Sequence, residues 1–208
     1  MSGVREMDNH QYLKDLIEKV NSLRKQIRYS EIDVTDCTIS YMATKKTVFV
    51  GYKEGYYDLL RRKQKGLKES DKLRPTAKNY LKFIKDKSGK LIQIECYTDG
   101  ELECYFQTYW IDNVRYLFPF SPQGGNYFTY AYATRYQEDF VAEEYMVEGR
   151  QIVYESYSYQ PNKEVEYEYI NYVPSGDFPV IEEKKGRFCL SPFTYEEYYC
   201  DTWMNHVD

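Results

Sequence analysis

The segment YTDGELECYFQTYWIDNVRYLFPF, residues 97–120, contains two turn signals with a strand-like run between them. Asp99-Gly100 and Asp112-Asn113 favour tight turns, and the run 101–110 between them alternates in character. Its even positions are mainly apolar, so we expect the even face to be buried and the odd face to meet water. The even set is Leu102, Cys104, Phe106, Thr108 and Trp110, and the odd set is Glu101, Glu103, Tyr105, Gln107 and Tyr109.

Turn signals of this kind recur about every 11 to 13 residues from Ser88-Gly89 to Lys185-Gly186. The connections are short, so strands that are neighbours in sequence should be neighbours in space, in an antiparallel up-and-down meander. A meander of seven or eight strands must curl, either into a closed barrel or as a half-barrel around a helix. The predicted strands are 90–98, 101–110, 113–120, 127–137, 140–148, 151–160, 164–173 and the pair 178–183 with 187–190.

The first part of the chain carries helical patterns. Between residues 9 and 28 apolar side chains recur every three or four positions, which predicts an amphipathic helix that packs on the meander. A β-hairpin is predicted from 32–41 and 47–52. Further short helices are predicted over 54–66 and 75–87.

Capping signals are the basis for predicting two short helices. Pro75 suits a first helical residue and Gly89 can end that helix. The C-terminal stretch SPFTYEEYYCDTW, residues 191–203, offers Ser191 as a cap and Pro192 at the first helical position, which predicts a short helix. The fold class is therefore α+β. Residues 1–89 form a basic helical segment with a β-hairpin, and residues 90–208 form an acidic, Tyr-rich meander with a C-terminal helix, together one continuous domain.

The two parts of the chain have opposite charge. Residues 91–208 hold 21 Asp+Glu against 7 Lys+Arg, a net of −14, whereas residues 1–90 hold 12 against 21, a net of +9. The chain also contains 25 Tyr and 10 Phe, rings that suit half-buried strands and contact surfaces. This composition favours a binding surface for a cationic partner over a catalytic pocket.

Some partners and locations are not expected. The basic run from Arg61 to Arg74 carries no interleaved aromatic residue, so we interpret it as a solvated segment and expect no nucleic-acid partner. Five cysteines without a C-x-x-C pair indicate neither a disulfide framework nor a zinc ribbon. No signal peptide or apolar run of membrane-spanning length is present in the sequence, so we expect a cytoplasmic protein with no membrane partner.

Catalytic motifs are missing from the sequence. Histidine occurs only at His10 and His206, near the two ends, and no hydrolase, nucleotide-binding or calcium-loop motif is present. We therefore predict no enzyme activity, no catalytic residue, no metal ligand and no cofactor. The carboxylates of 164–173 alternate with apolar residues and are typical of a solvated strand face, although uncompensated carboxylates would also attract a cationic partner.

The Tyr-rich hairpins between Gly89 and Gly186, of which residues 97–120 are an example, resemble the repetitive strands of some bacterial immunity proteins and antitoxins of polymorphic toxin systems. The resemblance covers about half of the chain, rests on turn spacing and composition, and assigns no individual functional residue. It implies a small cytosolic protein that binds and blocks a cognate toxin, often a basic nuclease.

These observations predict a non-enzymatic binding protein, most specifically an immunity-type inhibitor that neutralises a basic toxin through an acidic, Tyr-rich surface. The alternative is a ligand-binding β-barrel or half-barrel in which inward Tyr and Trp residues line a cavity for a lipid, sugar or peptide. The oligomeric state stays open. The residues expected to contact the partner are Glu101, Glu103, Tyr105, Glu164, Glu166 and Glu168.

Overall fold

The computed structural model describes residues 3–44, 67–123, 125, 130–138, 140–161, 164–174, 180–190, 193–199 and 202–206. One helix and twelve strands lie within these residues. They are α1 (Gly3–Gln26), β1 (Thr38–Thr44), β2 (Asn79–Lys85), β3 (Leu91–Thr98), β4 (Glu101–Ile111), β5 (Val114–Phe120), β6 (Tyr130–Gln137), β7 (Phe140–Glu148), β8 (Gln151–Tyr159), β9 (Glu164–Val173), β10 (Val180–Leu190), β11 (Phe193–Tyr199) and β12 (Thr202–His206).

The strands are hydrogen-bonded in chain order, from β1 to β12. This confirms the antiparallel up-and-down meander, with more strands than predicted. The order is linear, so β1 and β12 are the end strands and the described residues do not pair them with each other. One of the two predicted forms is a closed barrel, which requires the first and last strands to pair. The strand order of the described residues contains no such pair.

Tight turns set the pairing of successive strands. At the β3–β4 turn Asp99 has φ 52° and Gly100 has φ 88°, and two consecutive positive φ values are the mark of the type I′ turn preferred in two-residue hairpins. Asp112, between β4 and β5, has φ 54°. The predicted turns at both ends of β4 are therefore confirmed.

The turn predicted at Lys185-Gly186 is wrong. Residues 180–190 form one continuous strand, in which Gly186 lies opposite Tyr167 of β9. A Cβ atom added to Gly186 would lie 2.2 Å from Cε1 of the Tyr167 ring. Glycine is thus present because the ring lies over this backbone, and not because the chain turns.

The helix predicted over 75–87 is also wrong, since residues 79–85 form β2 between β1 and β3. Its apolar residues fit a helical stripe, but Leu81 and Phe83 alternate just as well, and each has a cross-strand partner on both sides. β1 covers only the end of the predicted strand 32–41. The predicted strand 47–52 and the predicted helix 54–66 lie outside the described residues.

The C-terminal helix is a third wrong prediction. Residues 193–199 form β11, paired with β10, and residues 202–206 form β12, paired with β11. Tyr and Phe have high strand propensity, and an adjacent strand edge provides the hydrogen-bond partners that favour extended backbone over the capping signals.

The amphipathic N-terminal helix is confirmed, although α1 begins at Gly3 and not at residue 9. Leu13, Ile17 and Val20 are buried, as their spacing predicts. Asn21 Nδ2 donates a hydrogen bond of 2.7 Å to the carbonyl oxygen of Gly149 in the β7–β8 turn. No helix in the described part of the chain is long and apolar enough to span a membrane.

The chain divides into two compact units. The first, Met1–Leu23 with Thr134–Asp208, holds 20 Asp+Glu against 9 Lys+Arg, a net of −11, and is called the acidic unit below. The second, Arg24–Ala133, holds 13 against 19, a net of +6, and is called the basic unit. The two units thus differ in the sign of their net charge.

Replacing Gly186 with Ala should lower the free energy of unfolding by about 1–3 kcal/mol, because the new methyl group overlaps the Tyr167 ring. Chemical denaturation measures this loss. Gly125→Ala is the matched control, since its Cβ would meet only Ser121 Oγ at 3.5 Å. In a Tyr167→Ala background the cost of Gly186→Ala should largely disappear, and an unchanged cost there would contradict the proposed overlap.

Candidate functional site

The residues that the sequence predicts to contact a partner lie in two strands that belong to different units. Glu101, Glu103 and Tyr105 lie in β4 of the basic unit, and Glu164, Glu166 and Glu168 lie in β9 of the acidic unit. Each group is therefore considered within its own unit.

In the basic unit only the first residue of the predicted group is fully exposed. Glu101 is exposed, whereas Glu103 is half-buried and accepts a hydrogen bond of 2.7 Å from Thr98 Oγ1. Tyr105 is half-buried because Tyr29 packs on it, with the two ring centroids 5.4 Å apart. The segment after α1, residues 28–30, thus covers part of the face that was predicted to meet water, and it is called the covering segment below.

The rest of the odd face of β4 is covered as well. Gln107 is only 2% exposed, and its Oε1 accepts a hydrogen bond of 3.1 Å from the backbone N–H of Ser30. Tyr109 donates to the carbonyl oxygen of Arg28 at 2.8 Å. On the even face Cys104 and Phe106 are buried as predicted. Trp110, predicted to be inward, is exposed with Lys90 over its ring.

Beneath this covering segment lies a polar network centred on Glu95, which is buried on β3. Its carboxylate accepts hydrogen bonds from Lys82 Nζ at 3.0 Å and from the Tyr97 hydroxyl at 2.7 Å, both to Oε2. Gln93 donates to Oε1 at 3.3 Å. Burial and the bond to Glu95 raise the pKa of Tyr97 above its ordinary value. The network joins β2 and β3 and is well suited to hold a buried carboxylate.

In the acidic unit the predicted carboxylates form a ridge, defined as Glu164, Glu166 and Glu168 on one face of β9. Lys185 on β10 lies 3.0 Å from Glu168, and Arg187 lies 3.8 Å from Glu164. Glu166 is the fully exposed member of the ridge. Only Glu166 is thus fully exposed as predicted, whereas Glu164 and Glu168 are half-buried and have neighbouring cations within the chain.

Alternation with the carboxylates predicts Val165, Tyr167, Tyr169 and Val173 as the inward set of β9, and only the first half of this set is confirmed. Val165 and Tyr167 are buried, whereas Tyr169 and Val173 are half-buried. On the opposite face Ile170 and Tyr172 are buried. Both faces of β9 are thus buried along different parts of its length, which strict alternation could not predict.

α1 is connected to the sheet of the acidic unit through a buried carboxylate. Glu143 of β7 accepts hydrogen bonds from the Tyr12 hydroxyl at 2.8 Å and from Arg135 Nε at 2.9 Å. The Tyr12 ring packs edge-on against Tyr154. Burial acts to raise the pKa of Glu143, but the bonds from Arg135 and Tyr12 outweigh it and hold that pKa below its usual value.

The acidic unit also contains a pair of buried carboxylates. Glu144 and Glu155 are directly opposite each other on β7 and β8, and their exposed fractions are 0% and 1%. Thr134 Oγ1 donates to Glu144 at 3.2 Å, and the Tyr157 hydroxyl donates to Glu155. Sequence reasoning did not find this pair, because the many carboxylates of the chain give no local sign of which ones are buried.

The most exposed large apolar side chain among the described residues is Phe140, at 52%. Its ring packs against Tyr159 of β8, with centroids 4.7 Å apart, and the Tyr159 hydroxyl donates to the carbonyl oxygen of Val141 at 2.8 Å. Glu138, in the preceding turn, is exposed. This aromatic pair was not predicted, although an aromatic residue directly after a turn is a signal that could have suggested it.

No cluster of three or more His, Cys, Asp or Glu side chains in the described residues is arranged to hold a metal ion. No protein-family model, curated protein or solved structure matches the chain. The fold, the buried networks and the charged surfaces are therefore the basis for assigning a function.

Gln107→Leu should destabilise the basic unit by about 2–4 kcal/mol, because the covering segment and Gln93 lose a buried hydrogen-bond partner. It should also speed hydrogen exchange at the amide of Ser30 relative to amides in β4. The control is Gln160→Leu at an exposed position. Unchanged exchange at Ser30 would show that Gln107 does not hold the segment.

Glu143→Gln should reduce the acid sensitivity of the fold. The pKa of Glu143 is depressed in the folded chain, so its stabilisation is present above its unfolded pKa and is lost as pH falls through the lower folded value. Urea midpoints measured from pH 6 down to the acid limit of folding should therefore fall less steeply in Glu143→Gln than in the parent chain. The exposed Glu138→Gln should follow the parent, and identical slopes for all three chains would contradict the assignment.

Proposed function

We propose that this chain is a cytosolic, non-enzymatic binding protein that holds a basic protein partner on its acidic unit. Its most specific form is an immunity-type inhibitor that neutralises a toxin. The observation that carries the proposal is the exposed Phe140 ring, packed on the half-buried Tyr159, in a unit with a net charge of −11. Exposed rings on a strongly charged surface are typical of protein contact sites.

The aromatic pair supports the short-range part of such contact. Phe140 and Tyr159 present a large apolar area, and the bond from Tyr159 to Val141 fixes the orientation of its ring. Rigid aromatic side chains lose little conformational entropy on binding and frequently dominate the binding energy. Phe140 is therefore proposed as the anchor.

The negative charge of the acidic unit supports the long-range electrostatic attraction of such a partner. Excess negative charge accelerates encounter with a basic protein and disfavours acidic ones. Glu166 is the ridge residue best exposed for this role, while Lys185 and Arg187 hold its two neighbours within the chain. Glu101, Glu103 and Tyr105 are retained as a lesser contact surface, because they belong to the basic unit and two of them are half-buried.

The ligand-binding alternative receives no specific support. A cleft of about 900 Å³ is present in the basic unit, but Tyr41, Ala43 and residues 67, 68, 70 and 72–79 line it. Tyr41 is the one aromatic residue among the described residues of this lining, whereas the alternative requires a cavity lined by several inward Tyr and Trp residues.

The direct test is co-expression with the protein encoded next to this chain, followed by purification and a toxicity assay. A stable complex, together with rescue of growth, is the expected result. A harmless neighbour that forms no complex at moderate salt would reject the immunity-type function.

Phe140→Ala should weaken the complex at least tenfold, mainly through faster dissociation, because it removes the proposed anchor. The matched control is Trp110→Ala, an aromatic residue exposed in the basic unit, which should leave the affinity unchanged. Glu166→Lys should instead slow association and flatten its salt dependence, with Glu18→Lys on α1 as the charge control. Stopped-flow kinetics at several salt concentrations separates the two effects. Equal behaviour of each variant and its control would exclude this surface.

A further inference from the structure

The basic unit contains a cleft of about 900 Å³ between β1 and the segment 67–79. Four cations line it: Lys68, Lys72, Arg74 and Lys78. The described residues place no carboxylate in its lining. Its volume lies within the ordinary range of ligand-binding sites.

The cations of the cleft are available to a ligand. All four are exposed, and none forms an ion pair with a carboxylate among the described residues. Other lysines of the same unit are paired, such as Lys82 with Glu95 and Lys85 with Glu69. Four unpaired like charges around one concave surface repel each other and attract an anion.

The wall that carries these cations is fixed at both ends. Ser70 exchanges two backbone hydrogen bonds with Tyr41, of 2.7 and 2.8 Å. The carbonyl oxygen of Lys78 accepts a bond of 2.8 Å from the backbone N–H of Gly100 in the β3–β4 turn. Between them a turn is closed by the bond from Ala77 N–H to the Arg74 carbonyl, at 2.9 Å. Three of the four cations, Lys72, Arg74 and Lys78, therefore project from backbone held at both ends, which reduces the entropy lost on binding.

β1 contributes an aromatic residue to the lining. Tyr41 of β1 lines the cleft and is the first of three rings in contact. Its centroid lies 6.2 Å from that of Tyr80, and Tyr80 stacks on Tyr97 at 4.4 Å with an interplanar angle of 11°. The basic run 61–74 contains no aromatic residue of its own, and the fold brings Tyr41 to it from β1.

We infer that this cleft binds single-stranded nucleic acid, that its cations contact the phosphates and that a base stacks on Tyr41. Cationic grooves combined with stacking aromatic rings are the general means by which proteins bind single strands. This inference concerns the basic unit and does not depend on the function proposed for the acidic unit.

The geometry favours a strand over other anions. A free nucleotide would leave most of the four cations without a phosphate, and these cations are exposed instead of enclosing a small ligand. An acidic peptide could satisfy the charges, but it carries no base to stack on Tyr41. A single strand uses both features of the cleft.

The test is fluorescence anisotropy with a labelled oligothymidylate of about ten nucleotides, a length within the site sizes of single-strand binding surfaces. Binding should weaken with salt between about 50 and 200 mM, and four phosphate contacts predict a slope of log K against log salt of about −3. Absence of binding at about 50 mM salt would overturn the inference.

Paired variants locate the binding site. Lys72→Gln with Lys78→Gln should reduce the salt slope by about half, because two of the four contacts are lost. Lys14→Gln with Lys25→Gln removes two exposed lysines of α1 and should leave the slope unchanged. If both pairs of substitutions reduce the slope equally, the binding is general attraction to positive charge and the cleft is excluded.

Tyr41→Leu should weaken binding about fivefold or more without changing the salt slope, because stacking is lost while the phosphate contacts remain. Tyr41→Phe keeps the ring and should bind as the parent does, and thermal melting confirms that both variants fold. Competition identifies the ligand class. Inorganic polyphosphate or poly-glutamate that displaces the oligonucleotide as well as unlabelled oligothymidylate would reject nucleic acid as the ligand.

Discussion

The fold depends on the local antiparallel pairing of each strand with the next, and tight turns determine that pairing. In the β3–β4 turn, Asp99 and Gly100 both have positive φ values, so the two strands leave the turn with a defined twist and register. Because successive side chains in a strand point to opposite faces, a shift of one residue would exchange every side chain between the faces. The buried networks and the exposed surfaces can exist only while this register is kept.

Burial on both faces of the strands has a chemical consequence, since polar side chains are enclosed and need partners. In the basic unit, Glu95 accepts hydrogen bonds from Lys82 and Tyr97, and Gln107 accepts one from Ser30 in the segment that follows α1. In the acidic unit, Glu143 accepts hydrogen bonds from Arg135 and from Tyr12 of the helix. The bonds of Gln107 to Ser30 and of Glu143 to Tyr12 join elements that are distant in sequence. A buried carboxylate therefore contributes to specifying which element covers each part of the sheet.

The two units differ in the kind of partner that their charges favour. The acidic unit presents the exposed Phe140 ring packed on Tyr159, with the exposed Glu138 in the preceding turn, and we propose a basic protein as its partner. The basic unit presents four exposed cations and Tyr41 around one cleft, and we infer a polyanion that carries bases as its ligand. Opposite charges on one chain would cancel each other's steering if they were mixed. In this chain the net charges of the two compact units have opposite signs.

The sequence by itself determined the strands from Leu91 to Val173 and the amphipathic helix, because their turns, alternation and helical spacing are properties of neighbouring residues. It could not decide between helix and strand for residues 79–85 and 193–199, since their aromatic residues suit both and the adjacent strands settled the outcome. It also could not tell which carboxylates are buried or that Tyr41 joins the basic cleft. Only the tertiary structure decided those features, because burial and charge at a site depend on segments that approach from far along the chain.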